Sequence, residues 1–390
     1  MIRAALLSIA LCLGSATYVV AQEFTALARL DANASRITTK GGAYRLDLVL
    51  TQGVPYRVYT LSDPARLVLD FREVDWRGAS EAALLSGRNA RGVQFGGFRQ
   101  GWSRMVIELA KPMTIAQVGM NIDKETGAAR LHVAMTMATQ DAFTKQAGAP
   151  HDPAWDLPLP EVLPELPPTR AGAGLLRIVL DAGHGGIDPG AERAGLNEAD
   201  LMLRLSIEVA DALNRSGGVR AILTRESDIF VPLDARMSIA RAAGADLFIS
   251  LHADALEEDE ARGTSVYTLN AEGVDKAAAR MAERHERGDL LAGLDLTGTD
   301  DRVATVLMDM ARAETGPKGE RFADQLVAAM RASGQRMNSK PRREGRLAVL
   351  NAADFASVLV EVGFLSNTAD REALRSPAGR APVVAGEKSP

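Results

Sequence analysis

The sequence predicts two folded units of different class: a small all-β sandwich, followed by an α/β domain with a mainly parallel sheet and helices on both faces. Three observations carry this. Apolar and polar residues alternate in strand fashion through residues 24–138, seven prolines fall within 150–168, and short apolar runs then alternate with amphipathic helical stretches. With 390 residues, 46% hydrophobic and 24% charged, the chain can fill two cores and has an ordinary globular composition.

Residues 1–21 read as a secretory leader: Arg3 supplies the positive start, 4–13 is apolar, and Val19 and Ala21 are the small residues before a cleavage site. The mature chain then begins at Gln22. The single cysteine, Cys12, lies inside this leader, which excludes disulfides, cysteine zinc sites and thiol nucleophiles from the mature protein. Leu11 stands where a lipoprotein signal needs a small residue, which argues against lipid attachment at Cys12. Beyond the leader, no apolar run reaches the ~18 residues of a membrane span.

Residues 22–140 form the first unit. Tyr44, Leu46, Leu48 and Leu50 share one face, and β-rich runs follow at 57–61, 66–71, 92–98, 103–109 and 129–135. Short strands broken by Gly, Pro and Asp turns suit a sandwich. This unit carries 15 Lys and Arg against 11 Asp and Glu, whereas 141–390 carries 29 against 39. A basic half beside an acidic half implies modules with different partners, the first suited to a polyanionic surface. Residues 141–173, with PAWDLPLPEVLPELPP at their centre, form a linker, because proline at this density joins neither a helix nor a central strand.

The α/β unit spans 174–378, with 379–390 as a tail. Strands are expected at 176–181, 219–224, 246–251, 264–269, 347–350 and 357–362, and helices at 198–215, 234–243 and 320–333. Sites in such folds form at the carboxyl ends of parallel strands. Three predicted strands end in polar residues: Asp181-Ala182-Gly183-His184-Gly185-Gly186, His252-Ala253-Asp254, and Glu361-Val362-Gly363. The first lacks the Lys-Ser/Thr of a phosphate-binding P-loop, so a histidine amid glycines fits a metal ligand better. Of the five histidines, His132 lies in a β-run and His151 in the linker, leaving His184, His252 and His285. Hydrolytic zinc is held by three ligands drawn from His and carboxylates. Glu198, at the start of its helix, is the natural third ligand, although a carboxylate there also serves as a cap. Glu361 stands between valines, and a buried carboxylate needs a salt bridge or a catalytic task. Asp181 and Asp254 could orient ligands or merely shape turns, and Arg225 could pair with acids.

The stretches IVLDAGHGGIDPGA, NEADLMLRLSIEVADAL, LTRESDIFVPLDARMSIARAAGADLFISLHADA and SVLVEVGFLSN resemble the zinc-dependent N-acetylmuramoyl-L-alanine amidases of bacterial cell-wall turnover. In the first unit, YRVYTLSDPARLVLDFREV and GVQFGGFRQGWSRMVIELAKP are similar to the AMIN domain that localises such enzymes on the envelope. The resemblance implies Zn2+ held by His184, Glu198 and His252, Glu361 as catalytic carboxylate, peptidoglycan as substrate and the periplasm as location. It makes nucleic acid an unexpected partner. A non-catalytic wall-binding scaffold and another zinc amidohydrolase or carboxypeptidase are the competing readings.

Residues 271–317 interrupt the α/β pattern. Val274, Ala278, Met281 and Leu290–Leu291 follow helical spacing, as do Val303, Val306, Leu307 and Met310. A packed surface helix pair explains this spacing. The segment also resembles the insertion of relatives held inactive by a helix over the zinc and released by activators with a LytM-type domain. There a glutamate fills the open zinc position, and the register of MAERHERGDLLAGLDL puts His285 at that place, with Glu286 or Glu283 as substitutes. A second departure is expected after the LSN motif, where relatives close with an amphipathic helix and SPAGRAPVVAGEKSP shows no such pattern.

Overall fold

A computed structural model describes residues 27–40, 43–72, 74–86, 90–99, 101–150, 175–255, 261–270, 279, 302–350, 352 and 355–387. The predicted leader and the proline-rich stretch lie outside them.

The first unit has eight principal strands: β1 (Arg36–Lys40), β2 (Ala43–Leu50), β3 (Tyr56–Leu61), β4 (Arg66–Arg72), β5 (Ala90–Arg99), β6 (Trp102–Leu109), β7 (Met113–Ile122) and β8 (Ala129–Met137). One sheet has the order β7-β8-β2-β1 followed by the short strand Leu85–Ser86, and the other β3-β4-β6-β5. In the first sheet Leu46 and Leu48 stand opposite Val133 and Leu131, all fully buried. The facing sheet contributes Leu67, Leu69, Phe71, Met105 and Ile107 to the same core. Alternation therefore predicts this layer well. β1 and β7 escape it, since RITTK is too polar and the β7 side chains are mostly exposed. Two short helices, Glu81–Leu84 and Gln140–Gln146, start at Ser80 and Thr139, whose side chains accept backbone N–H groups.

The second unit is a three-layer α/β/α fold. Its strands are β9 (Leu176–Ala182), β10 (Val219–Leu223), β11 (Leu247–His252), β12 (Thr264–Leu269), β13 (Met337–Gly345) and β14 (Ala356–Glu361). Its helices are α1 (Glu198–Ser216), α2 (Leu233–Ala243), α3 (Arg302–Ala332), α4 (Thr368–Arg375) and α5 (Pro377–Glu387). The sheet order is β10-β9-β11-β14-β12-β13. The first four strands are parallel; β12 is antiparallel to β14, with β13 parallel to β12, so the sheet is mixed. Alternate residues of the central strands serve opposite layers. Leu180, Ile249, Leu251 and Val358 meet α1, α3 and α5, whereas Val179, Phe248 and Leu359 meet α2.

Four expectations need correction. Residues 347–350 do not form a strand: Ala348–Leu350 is a 3-10 turn whose Val349 and Leu350 cover the α2 face of the sheet. β13 was hidden by its sequence, MNSKPRREG, because an edge strand tolerates charge and even Pro341. The helix expected at 320–333 begins at Arg302 and so takes in residues 302–317, whose helical spacing the sequence showed. The expected tail 379–390 is largely helical. Pro377 opens α5, where its missing N–H costs nothing, and Val383 and Arg380 are buried.

Arg380 anchors α5. Its Nε and Nη2 donate to Glu208 Oε2 and Oε1 of α1 at 2.9 and 2.5 Å, and its Nη1 to the Leu374 carbonyl at 2.7 Å. Arg380→Ala should therefore lower unfolding stability by about 2–3 kcal/mol, the value of charge-assisted bonds to partly buried partners. Urea denaturation checks this, and a change within experimental error would show that α5 is held by apolar contact alone.

Candidate functional site

The parallel strands β9, β11 and β14 bring their carboxyl ends together, and the sequence candidates follow. Asp181 lies opposite Ser250 in the register of β9 and β11, and His252 opposite Glu361 in that of β11 and β14. His184 sits in the loop leaving β9, and Glu198 is the first residue of α1. The α1 cap is Asn197, whose Oδ1 accepts the Asp200 N–H at 2.8 Å. Glu198 is thus released from capping duty.

Glu198 is the hub. Its Oε2 stands 3.2 Å from His184 Nε2, and its Oε1 3.1 Å from His252 Nδ1. The same two oxygens accept the N–H groups of Ala191 and Ala253 at 3.0 and 2.9 Å. The two imidazoles meet edge to face with centroids 5.1 Å apart. Glycine makes the approach feasible: a Cβ on Gly183 would lie 2.5 Å from the His252 ring, and one on Gly190 2.6 Å from His184 Cδ2. Among the described residues, His184, Glu198 and His252 are the group able to hold a metal ion, with one ligand atom from each lying within 4.8 Å of the others. Glu361 is wholly buried beside them; its Oε2 accepts the Asp254 N–H at 3.0 Å, and its Oε1 has no hydrogen-bond partner among the described residues.

Residues 178–386 match the N-acetylmuramoyl-L-alanine amidase family, and residues 34–133 the AMIN domain. The chain is 32% identical to N-acetylmuramoyl-L-alanine amidase AmiC of Neisseria meningitidis, over 89% of this chain and 86% of that one. It is 28% identical to AmiC of Escherichia coli over 88% and 84% of the two chains, and 34% identical to AmiA of that species over 56% and 75%. The chain belongs to the N-acetylmuramoyl-L-alanine amidase family. Among solved structures, AmiC2 of Nostoc punctiforme is similar, with 25% identity over 56% of this chain and 95% of that one at a TM-score of 0.41.

In this amidase the charges of the site are strongly coupled. Burial would raise the Glu198 carboxyl, but the imidazoles of His184 and His252 outweigh it and hold it well below the usual carboxylate range. Burial would lower His184, yet Asp188 and Glu198 push it well above its ordinary value. Glu361 goes the other way: burial, with Asp254 and Glu198 adding negative charge, pushes its carboxyl well up.

The supporting residues differ from those the sequence suggested. Asp188, which the sequence reading passed over, orients an imidazole, since its Oδ2 lies 2.8 Å from His184 Nδ1 and leaves Nε2 facing Glu198. The spacing of four residues within GHGGIDPG was the available signal. Asp181 is locked in the core by Arg236, Thr224 and Ser250, each at 2.7 Å. Arg236 also donates to the carbonyls of Ala182 and His184, which fixes His184 at a positive φ of 58°. Arg225 works through carbonyls rather than acids, donating to Ala182, Gly183 and Ala199. Burial and the neighbouring Arg236 bring its pKa down to about 10. His132 pairs with Asp47 in the first unit, far along the chain from the site. His151, His285, Glu283 and Glu286 lie outside the described residues.

Asp181→Ala would leave the Arg236 guanidinium buried without its carboxylate. A loss of about 3–5 kcal/mol in unfolding stability is expected from breaking such a pair. Chemical denaturation measures it, and a loss under 1 kcal/mol would mean that the carbonyl partners suffice for Arg236.

Proposed function

We propose that this chain is a zinc-dependent peptidoglycan hydrolase that cleaves the amide between the lactyl group of N-acetylmuramic acid and the L-alanine of the stem peptide. The observation that carries this reading is the convergence of His184, Glu198, His252 and Glu361 at one end of the sheet in a member of this family. Its relatives AmiC and AmiA are named for that activity.

The donor set suits zinc. Two imidazole nitrogens and a carboxylate oxygen, one ligand atom from each residue lying within 4.8 Å of the others, are the donor types that hydrolytic zinc takes. His184, Glu198 and His252 would hold the ion, which when bound supplies Lewis acidity toward the scissile carbonyl and toward water. Asp188 keeps the proton of His184 on Nδ1 and so presents Nε2 as a lone-pair donor. Glu361 has one oxygen committed to the Asp254 amide and the other uncommitted. That second oxygen accepts the proton of the attacking water and returns it to the departing amine of L-alanine. No serine or cysteine nucleophile is needed, in keeping with a mature chain without cysteine.

The proposal places the enzyme in the periplasm, with the AMIN domain binding the envelope. Among the described residues, no helix is long and apolar enough to cross a membrane. Inhibition by the insertion, through His285, Glu286 or Glu283, and release by a LytM-type activator rest on the sequence resemblance and complete the proposal.

Digestion of purified peptidoglycan is the decisive experiment. Free stem peptides beginning with L-alanine, with intact glycan strands, are expected. Shortened peptides still attached to glycan would point instead to a carboxypeptidase, and no products to a scaffold. Glu361→Gln should retain zinc while turnover falls ~10²–10⁴-fold, since the ligands remain and the proton acceptor is gone. Zinc content measured beside activity tests this, and zinc loss in the variant would make Glu361 a ligand. Asp188→Asn should weaken zinc binding ~10–100-fold by loosening the His184 tautomer; competition with a chromogenic chelator reads the change, and unaltered affinity would remove Asp188 from the metal site.

A further inference from the structure

Every candidate ligand lies beyond the linker, so the sequence alone treats residues 22–140 as dispensable for the chemistry. The structure brings the two units into contact at the loop that carries His184. Phe98 of β5 stacks on Phe230 with centroids 6.2 Å apart and planes 13° from parallel. Together with Ile187 they form a buried apolar cluster drawn from both units. The Arg104 guanidinium also lies over the Phe98 ring, 3.6 Å from its centroid. Beside this stack, the Phe230 N–H donates to the Gly97 carbonyl at 3.2 Å.

The backbones approach too closely for side chains. A Cβ on Gly96 would lie 2.4 Å from the Gly186 oxygen, and one on Gly186 far inside van der Waals contact with the Gly97 oxygen. Gly186 is two residues from His184, and on its other side it donates to Asp228 Oδ1 at 2.7 Å. The His184 loop is therefore held between β5 and the 228–230 turn. His184 itself occupies the left-handed region, a conformation that costs a non-glycine residue of order 1 kcal/mol or more and persists only where the surroundings enforce it.

We infer that the N-terminal domain is a docked clamp on the metal-binding loop, through Gly96, Gly97 and Phe98, so that domain docking and zinc retention reinforce one another. The inference rests on the zinc reading above. The covalent tether favours it, because a linker raises the local concentration of the partner surface to ~mM and makes a small contact sufficient. Linkage then requires reciprocity: if docking tightens zinc binding, zinc must favour docking by the same factor.

The test uses the full-length mature protein. Residues 22–390 contain no cysteine, so Lys124→Cys and Arg204→Cys, both exposed and one in each unit, accept spin labels that report the interdomain distance. Gly96→Val breaks the contact selectively, since the atoms nearest its added Cβ all belong to Gly186 and Ile187. Phe98→Ala is the second variant, should the first fail to fold. Zinc-loaded native protein should give one narrow distance, which broadens in Gly96→Val and on zinc removal. In competition with a chelator at equilibrium the variant should bind zinc at least ~5-fold more weakly, the lower end of typical coupling between sites. A broadened distance with unchanged zinc affinity would overturn the clamp while leaving the zinc reading intact. So would a narrow distance that survives in both variants. Native protein that binds no zinc would overturn both.

Discussion

A single buried carboxylate organises this molecule. Glu198 is withdrawn from water at the first turn of α1, a placement that costs several kcal/mol unless every lone pair is used. Two imidazoles, two backbone amides and the positive end of the helix dipole satisfy it. Each partner imposes a condition on a different stretch of chain. His252 must end β11, Ala253 must follow with its amide turned inward, and His184 must leave β9 along a loop that only Gly183 and Gly190 allow to pass so near. The asparagine before Glu198 belongs to the same design, because by capping the helix it leaves the glutamate free for the imidazoles.

Around that hub, cations work as braces for backbone. Arg225 and Arg236 are both buried and near enough to repel, yet each donates to two carbonyl oxygens of the segment 182–184. Fixed guanidinium forks suit this task better than lysine, since one planar group can hold several carbonyls at set angles. Asp181 supplies the countercharge from below, and Thr224 and Ser250 complete its shell. The loop bearing His184 is thus held in place without regular secondary structure, as a non-glycine residue at a positive φ requires.

Much of this was legible because the chemistry is local in sequence. A histidine among glycines after an apolar strand, a second histidine ending another, and a glutamate between valines all signalled the strand ends that the sheet gathers. The parallel strands were equally plain, being short and uniformly apolar. What stayed hidden depended on tertiary context. β13 carries Lys340, Pro341, Arg342 and Arg343 because it is an edge, and α5 contains two prolines because α1 and α3 supply its packing. Leu347, Val349 and Leu350 look like a strand in isolation, but the face of the sheet, not its edge, had room for them. Asp188 went unnoticed as an imidazole partner because its role follows from how the loop doubles back through the mutual hydrogen bonds of Gly185 and Asp188.

The contact between the two units separates two tasks that the charge of the first unit seemed to merge. Docking runs through Gly96, Gly97, Phe98, Ile187 and Phe230, none of them charged. Such a contact depends on apolar burial and close fit, and salt at physiological strength leaves it largely unchanged. The excess of Lys and Arg over Asp and Glu in residues 22–140 lies outside these five residues. It remains available to a polyanionic surface, an attraction that falls with ionic strength because it acts between exposed charges. On the proposed function, one small domain would answer to the envelope through its charge and to the His184 loop through its glycines, and because the two forces respond differently to salt, neither has to be weakened for the other to operate.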